Sequence, residues 1–251
     1  MLFQTLDNKK ECYAIFCNEI FYHYPNSLDL TRTWSWTSHF SSIDIEYAQI
    51  WCNGRSLGDV CPEDLRLQWE QVNYKAKAFI TSFHESKINL DDICFYDAVP
   101  KKFLLEYNVL KNKITNFVFE HYKKPKNYDF LSSLVVFLDK INKQELNLRA
   151  KNLDFINPKV RANFNKIKQA NNFIEYTPWV TATGRLSTTQ KSFPILNLNK
   201  ELRNVIIPQN DLFIELDYNS AELRTFLGLL GKDQPSDDLH SWIQKNIFKG
   251  R

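Results

Sequence analysis

An α+β architecture is predicted for this chain of 251 residues, and three observations predict it. Residues 1–60 hold strand-like runs punctuated by turn signals. From Pro62 the apolar spacing changes to that of long helices, and from Phe173 short strand-like runs return, interleaved with helices. The expected organisation is a small β-containing N-terminal region (1–60), a helical region (61–172) and a mixed C-terminal region (173–251).

The N-terminal run Cys12-Tyr13-Ala14-Ile15-Phe16-Cys17, then Asn18-Glu19, then Ile20-Phe21-Tyr22-His23-Tyr24 predicts a hairpin. A further strand is predicted from Ile43 to Trp51, ending at Asn53-Gly54, a strong turn signal. After Pro62, Leu65, Trp69, Val72, Ala76, Phe79 and Phe83 fall on one helical face. A second helix begins at Pro100, a residue suited to a first helical turn, with the stripe Phe103, Tyr107, Leu110, Ile114, Phe117 and His121. A third runs from about Tyr128 to Lys143, with Phe130, Leu134, Phe137 or Leu138, and Ile141 as its apolar face. Asn163 to Asn172 reads as helix then loop. Strands are expected at Phe173–Tyr176 and Leu212–Leu216, followed by helices from Ser220 to Leu230, closed by Gly231, and from Asp237 to Phe248.

Composition narrows the function classes. A hydrophobic content of 43% suffices for a core, and the longest apolar runs are too short to span a bilayer. The first residues lack the basic start and apolar run of a secretory signal, so a cytoplasmic location without a membrane partner is expected. Five cysteines without a Cys-x-x-Cys pair read as reduced thiols rather than a zinc site built with His23 or His39. Charge is unevenly distributed. Residues 101–170 hold 15 Lys/Arg against 6 Asp/Glu, while the rest holds 17 against 23. Such a basic segment fits a polyanion, because lysines that neutralise phosphates release condensed counterions. It equally fits a solvated lysine-rich helical face.

The chemistry-bearing residues lie late in the chain. In Leu212-Phe213-Ile214-Glu215-Leu216-Asp217-Tyr218-Asn219-Ser220-Ala221-Glu222-Leu223-Arg224 an apolar strand delivers an aspartate and a helix starts at once. A strand end holds a carboxylate rigidly, as two-metal phosphoryl transfer requires, although an Asp there is more often a helix cap. About thirty residues earlier stands Thr181-Ala182-Thr183-Gly184-Arg185-Leu186-Ser187-Thr188. Ile195-Leu196-Asn197-Leu198 and Leu202-Arg203-Asn204-Val205-Ile206-Ile207-Pro208 lie between the two. Asp238-Leu239-His240 follows, with Phe248 eight residues after the histidine.

Taken together and in order, these elements resemble the palm of family A DNA polymerases, the bacterial DNA polymerase I type. That family carries T-x-T-G-R-L-S-S, an asparagine-rich segment, I-R-x-x-F, D-Y-S-x-x-E-L-R and D-I-H. The likeness covers residues 173–248, roughly a third of the chain. It implies that Asp217, with the Tyr218 backbone carbonyl, holds Mg²⁺ through hard oxygen ligands. It further implies that Glu222 packs over the incoming sugar and excludes a 2′-hydroxyl, and that Arg185 reaches the primer-terminal minor groove, whose acceptors are similar for all base pairs. Arg203 and His240 would lie near the template or the phosphates of the incoming nucleotide.

There are departures. Ile195-Leu196-Asn197-Leu198-Asn199 stands where the family has N-L-Q-N-I-P, and Asn219-Ser220 replaces its Ser-Gln pair. The short span from Asp217 to His240 favours a divergent, phage-like branch, virus-encoded and acting in a host cytoplasm. The fingers helix and the second metal aspartate of the family have no counterpart among these residues. The resemblance therefore implies a helical thumb over 61–172 that grips duplex DNA, with Lys123, Lys124 and Lys126 at a helical tip, and an incomplete palm over 173–251. The implied function is template-directed addition of deoxynucleotides (dNTPs) to a primer–template, once a complementary C-terminal chain completes the site. The alternatives are a catalytically inactive polymerase-derived DNA-binding subunit or a truncated gene product. Asp44-Ile45-Glu46 also resembles the Asp-x-Glu that starts an exonuclease site. Without evident partner carboxylates it reads instead as a half-exposed strand with alternating acids, making 1–60 at most an exonuclease-like remnant.

Overall fold

The computed structural model describes the chain except residues 8–13, 24, 26–27, 41–43, 91–92, 150–157, 159–161, 163, 165–171, 191, 237 and 249–251. Helices dominate and the sheets are small, an α+β fold in general terms. Two compact units are formed. The first comprises residues 1–146 and 155–203, the second residues 147–154 and 204–251.

The first unit opens with β1 (Gln4–Thr5), β2 (Ile15–Cys17) and β3 (Glu19–Phe21), an antiparallel meander. The predicted hairpin forms with a tighter turn than its sequence suggests. Asn18 takes the left-handed region (φ 63°), so Cys17 pairs with Glu19. Its segments at Cys12-Tyr13 and Tyr24 lie outside the described residues. Next come β4 (Arg32–Thr33) and β5 (Glu46–Tyr47), a parallel pair. A parallel bridge between Leu2 and Arg32, with the Phe3 amide donating to the Arg32 carbonyl, joins the two groups. Across these bonds the strands lie in the order β3-β2-β1-β4-β5.

The strand expected from Ile43 to Trp51 is cut short. After Tyr47 the chain turns into helix α1 (Ala48–Trp51), which buries Ala48 and Ile50. Asn53-Gly54 ends that helix rather than a strand. Asn53 donates to the Ile50 carbonyl and Gly54 to the Gln49 carbonyl, with φ values of 53° and 73°. This pairing of crossed bonds with left-handed residues is a helix stop.

Helix α2 (Glu63–Glu85) starts after Pro62 and buries Trp69, Val72 and Ala76 from the predicted face, while Leu65, Phe79 and Phe83 pack around them. After the short α3 (Phe95–Ala98), α4 (Lys101–His121) follows Pro100. Two of its faces are covered. One meets α2 through Phe79–Phe103 and Trp69–Tyr107 ring contacts. The other meets β1, where the Gln4 side-chain amide donates to Asn112 Oδ1 (2.9 Å) and Thr115 Oγ1 (3.0 Å). The buried set is thus wider than one stripe and includes Asn108, Lys111 and Thr115, whereas His121 is exposed and stacks on Phe117.

Helix α5 (Tyr128–Asn142) forms where expected but is rotated. It buries Tyr128 and Leu138 and packs Leu131 and Val135 against the core formed by Phe3, Ile15, Phe40, Tyr47 and Ile50, leaving Phe130 and Phe137 exposed. Seven of the nine residues from 130 to 138 are apolar, so two helical stripes compete in the sequence. The Tyr128 hydroxyl, which accepts from the Tyr47 amide at 2.9 Å, accompanies the stripe that is buried.

The expected strand at Phe173–Tyr176 is reduced to a bridge at Phe173 and the antiparallel pair β6 (Tyr176–Thr177) and β7 (Ser187–Thr188). Short 3-10 helices span Ile195–Asn197 and Lys200–Val205. Most of Asn163–Asn172 lies outside the described residues. In the second unit, α6 (Ala221–Leu229) and α7 (Leu239–Asn246) match the predicted helices. Gly231 (φ 62°) closes α6, its amide donating to Gly228 and that of Lys232 to Leu227. The strand expected at Leu212–Leu216 is not formed. The run is irregular and exposed, Leu216 being 89% accessible, because no described segment lines up beside it to take its amides and carbonyls.

Candidate functional site

The second unit carries Asp217, Tyr218, Glu222 and His240. Asp217 and Tyr218 end the exposed run and precede a sharp turn, made where Ser220 adopts the left-handed region (φ 53°) as the residue before α6. Glu222 lies in the first turn of α6, and His240 is the second residue of α7. The turn is tied to α7 by side chains. The Asn219 amide donates to Asp238 Oδ1 at 3.0 Å, while Asp238 Oδ2 accepts from the Ser241 amide at 2.9 Å and caps α7. These donors, the Ser241 amide foremost and then Asn219, hold the Asp238 carboxyl below the usual carboxylate range. Arg224 completes the buckle. Its Nε donates to the Asn219 carbonyl and its Nη1 to the Pro235 carbonyl, both at 2.9 Å, while Gln234 Nε2 donates to the Arg224 carbonyl at 2.8 Å.

The aspartate of Asp238-Leu-His thus works as a cap and as the acceptor for Asn219. Sequence reading left this pairing unassigned. A carboxylate three residues before a helical amide was the available signal for the cap; the contact between residues 219 and 238 had none.

For Mg²⁺, Asp217 offers one exposed carboxylate and Tyr218 a carbonyl, a hard oxygen set of the right chemistry. Among the described residues no three His, Cys, Asp or Glu side chains group as a metal cage. Asp217 and Tyr218 by themselves fall short of a complete coordination shell.

Arg185, Arg203 and the three lysines belong to the first unit. Arg185 lies in the nine-residue loop joining β6 to β7. There the Thr181 hydroxyl donates to the Arg185 carbonyl at 2.6 Å, and the Gly184 amide (φ 74°) donates to the Thr181 carbonyl at 3.2 Å. Arg203 is exposed on the 3-10 helix Lys200–Val205, next to the buried Leu202.

Lys123, Lys124 and Lys126 are exposed in the turn between α4 and α5, but they are not equivalent. Lys124 Nζ pairs with Glu46 Oε1 at 2.7 Å and sits 4.3 Å from the centre of the Tyr128 ring. Arg32 Nε reaches the other Glu46 oxygen at 3.2 Å. These groups, with Asp44, Asn116 and Asp129, line a polar cleft of about 610 Å³. Asp129 adds a carboxylate that the Asp44-Ile45-Glu46 motif did not predict, but Glu46 is engaged by two cations, the arrangement of an ion-pair latch. The basic segment is also less uniformly solvated than its composition suggests. Lys111 on α4 is buried, and burial lowers its pKa to about 8.

No family model, curated protein or solved structure matches the chain. No helix among the described residues is long and apolar enough to cross a membrane.

Proposed function

We propose that residues 173–248 are a partial palm of the family A DNA polymerase type and that the chain contributes to template-directed deoxynucleotide addition when further polypeptide completes the site. The observation that carries this reading is the Asn219–Asp238 hydrogen bond. Two motifs that resemble the family in residue type, order and spacing, the turn after Asp217-Tyr218 and Asp238-Leu-His, are joined by a direct bond. The run Leu212–Leu216 leading into Asp217, exposed and without a strand partner among the described residues, adds support, since its apolar side chains suit strands contributed by a completing segment.

In this reading Asp217 and the Tyr218 carbonyl hold Mg²⁺, which when bound stabilises charge on the transferring phosphoryl group. Glu222 walls off the 2′ position of the incoming sugar. His240, placed by the Asp238 cap, faces the triphosphate. Arg185 and Arg203 contact primer and template, and Lys123 and Lys126 approach duplex phosphates. Lys124 contributes charge while latched to Glu46.

The test is primer extension with Mg²⁺ and dNTPs, using the chain alone and the chain mixed with a fingers-and-palm half carrying the second metal aspartate. Extension only in the mixture supports the proposal. Duplex binding without extension in either case favours the inactive DNA-binding subunit, and neither binding nor extension favours a truncated product. Robust extension by the chain alone, abolished by Asp217→Ala, overturns the claim of incompleteness.

A further inference from the structure

Gly54 ends α1 in the left-handed region, at φ 73°. That φ alone does not demand glycine, for Asn53 beside it holds φ 53°. The demand comes from the far side of the sequence. A β-carbon placed on Gly54 would lie 2.1 Å from Cγ of Trp179 and 2.4 Å from its Cδ1 and Cδ2. The indole occupies the space that any other residue's side chain would need, a close approach only glycine permits. Trp179 also packs against the core built from Phe3, Ile15, Phe40 and Ile50. Two residues on, Thr181 holds the loop by its hydroxyl bond to the Arg185 carbonyl and its carbonyl bond from Gly184. Gly54 thus seats Trp179, and one residue intervenes along the chain between Trp179 and the Thr181 bonds that hold the backbone of Arg185, all within one unit.

We infer that Gly54 and Trp179 form a socket that positions the Thr181–Leu186 loop, so that the N-terminal region sets where Arg185 reaches. The last step rests on the reading of Arg185 as a duplex contact. Trp179 and Gly54 are positioning residues and touch no substrate. The socket gives the N-terminal region a role in the polymerase reading that requires no nuclease activity.

The experiment uses the full chain and three variants. Gly54→Ala fills the socket, Trp179→Ala empties it without a clash, and Asn53→Gly alters the neighbouring turn residue while leaving the socket intact. Amide hydrogen exchange across residues 178–188 is read by mass spectrometry, with circular dichroism as the check on overall folding. Both socket variants are expected to speed exchange in that loop by roughly ten-fold or more, with Asn53→Gly unchanged. Trp179→Ala keeps the idea testable even if Gly54→Ala fails to fold, and unchanged loop exchange in Trp179→Ala overturns the socket.

A second arm measures primer–template affinity in a double-mutant cycle. Arg185→Ala is expected to weaken binding by about ten-fold in the parent and by less than about two-fold in the Trp179→Ala background. An undiminished loss in that background overturns the positioning role. If Arg185→Ala is silent in the parent, the DNA role of Arg185 falls and the exchange arm alone decides the socket.

Discussion

Replacing Lys111 with methionine should stabilise the protein at neutral pH. Lys111 is buried on α4, and no carboxylate pairs with it among the described residues. Desolvation lowers its pKa from 10.5 to about 8. A shift of that size corresponds to ~3 kcal/mol favouring the neutral amine. The sign follows from proton counting. Between about pH 8 and 10.5 the unfolded chain binds more protons at this site than the folded one, so stability rises with pH across that window. Below about pH 8 the lysine is charged in both states and the full desolvation cost is present. Methionine keeps an unbranched apolar stem of similar length and removes the charge. The expected gain is therefore ~3 kcal/mol at pH 7, declining to ~1 kcal/mol near pH 10. Urea unfolding of parent and Lys111→Met at pH 7, 9 and 10, followed by tryptophan fluorescence, reads the difference. A neutral or destabilising effect at pH 7, or a gain that does not shrink as pH rises, would refute the reasoning.

Ile114→Ala empties a fully buried site on α4 and should cost about 2–5 kcal/mol, read as a lower urea midpoint. Asn219→Ala removes one of the donors that lower the Asp238 pKa. The carboxyl should titrate higher by carbon-detected NMR, and the α7 cap, intact above the ordinary carboxylate range and lost as pH falls through the lowered pKa, should fail at a higher pH. Joint Lys123→Glu and Lys126→Glu should weaken primer–template binding for all sequences alike and flatten the logarithmic salt slope by about two. An unchanged slope in fluorescence anisotropy would remove these lysines from the interface. In a completed enzyme, Asp217→Ala should abolish incorporation while retaining duplex affinity, and Glu222→Ala should raise ribonucleotide use relative to dNTP in single-nucleotide assays.

What was legible in the sequence was what short-range physics closes. Helices α2, α4, α6 and α7 satisfy their own backbones through bonds four residues apart, so proline starts, the Gly231 stop and apolar spacing located them. The order of the motifs around Arg185, Asp217, Glu222 and His240 was equally readable, since it needs no coordinates.

Tertiary structure decided the rest, because the deciding partner lay far along the chain. Strands require such partners, so the described part of the run Ile43–Trp51 kept Glu46–Tyr47, and Leu212–Leu216 has none among the described residues. The apolar face of α5 depended on what Tyr47 and its core offered, not on α5 itself. Burial of Lys111 came from the packing of other elements around α4, while its sequence context is that of any surface lysine. The Glu46–Lys124 latch, the Asn219–Asp238 bond and the seat of Trp179 on Gly54 join residues with no shared local pattern. Residue identity by itself determined which chemistries were available, and packing determined which charges were held, which glycine had to remain bare and which lysines were left exposed.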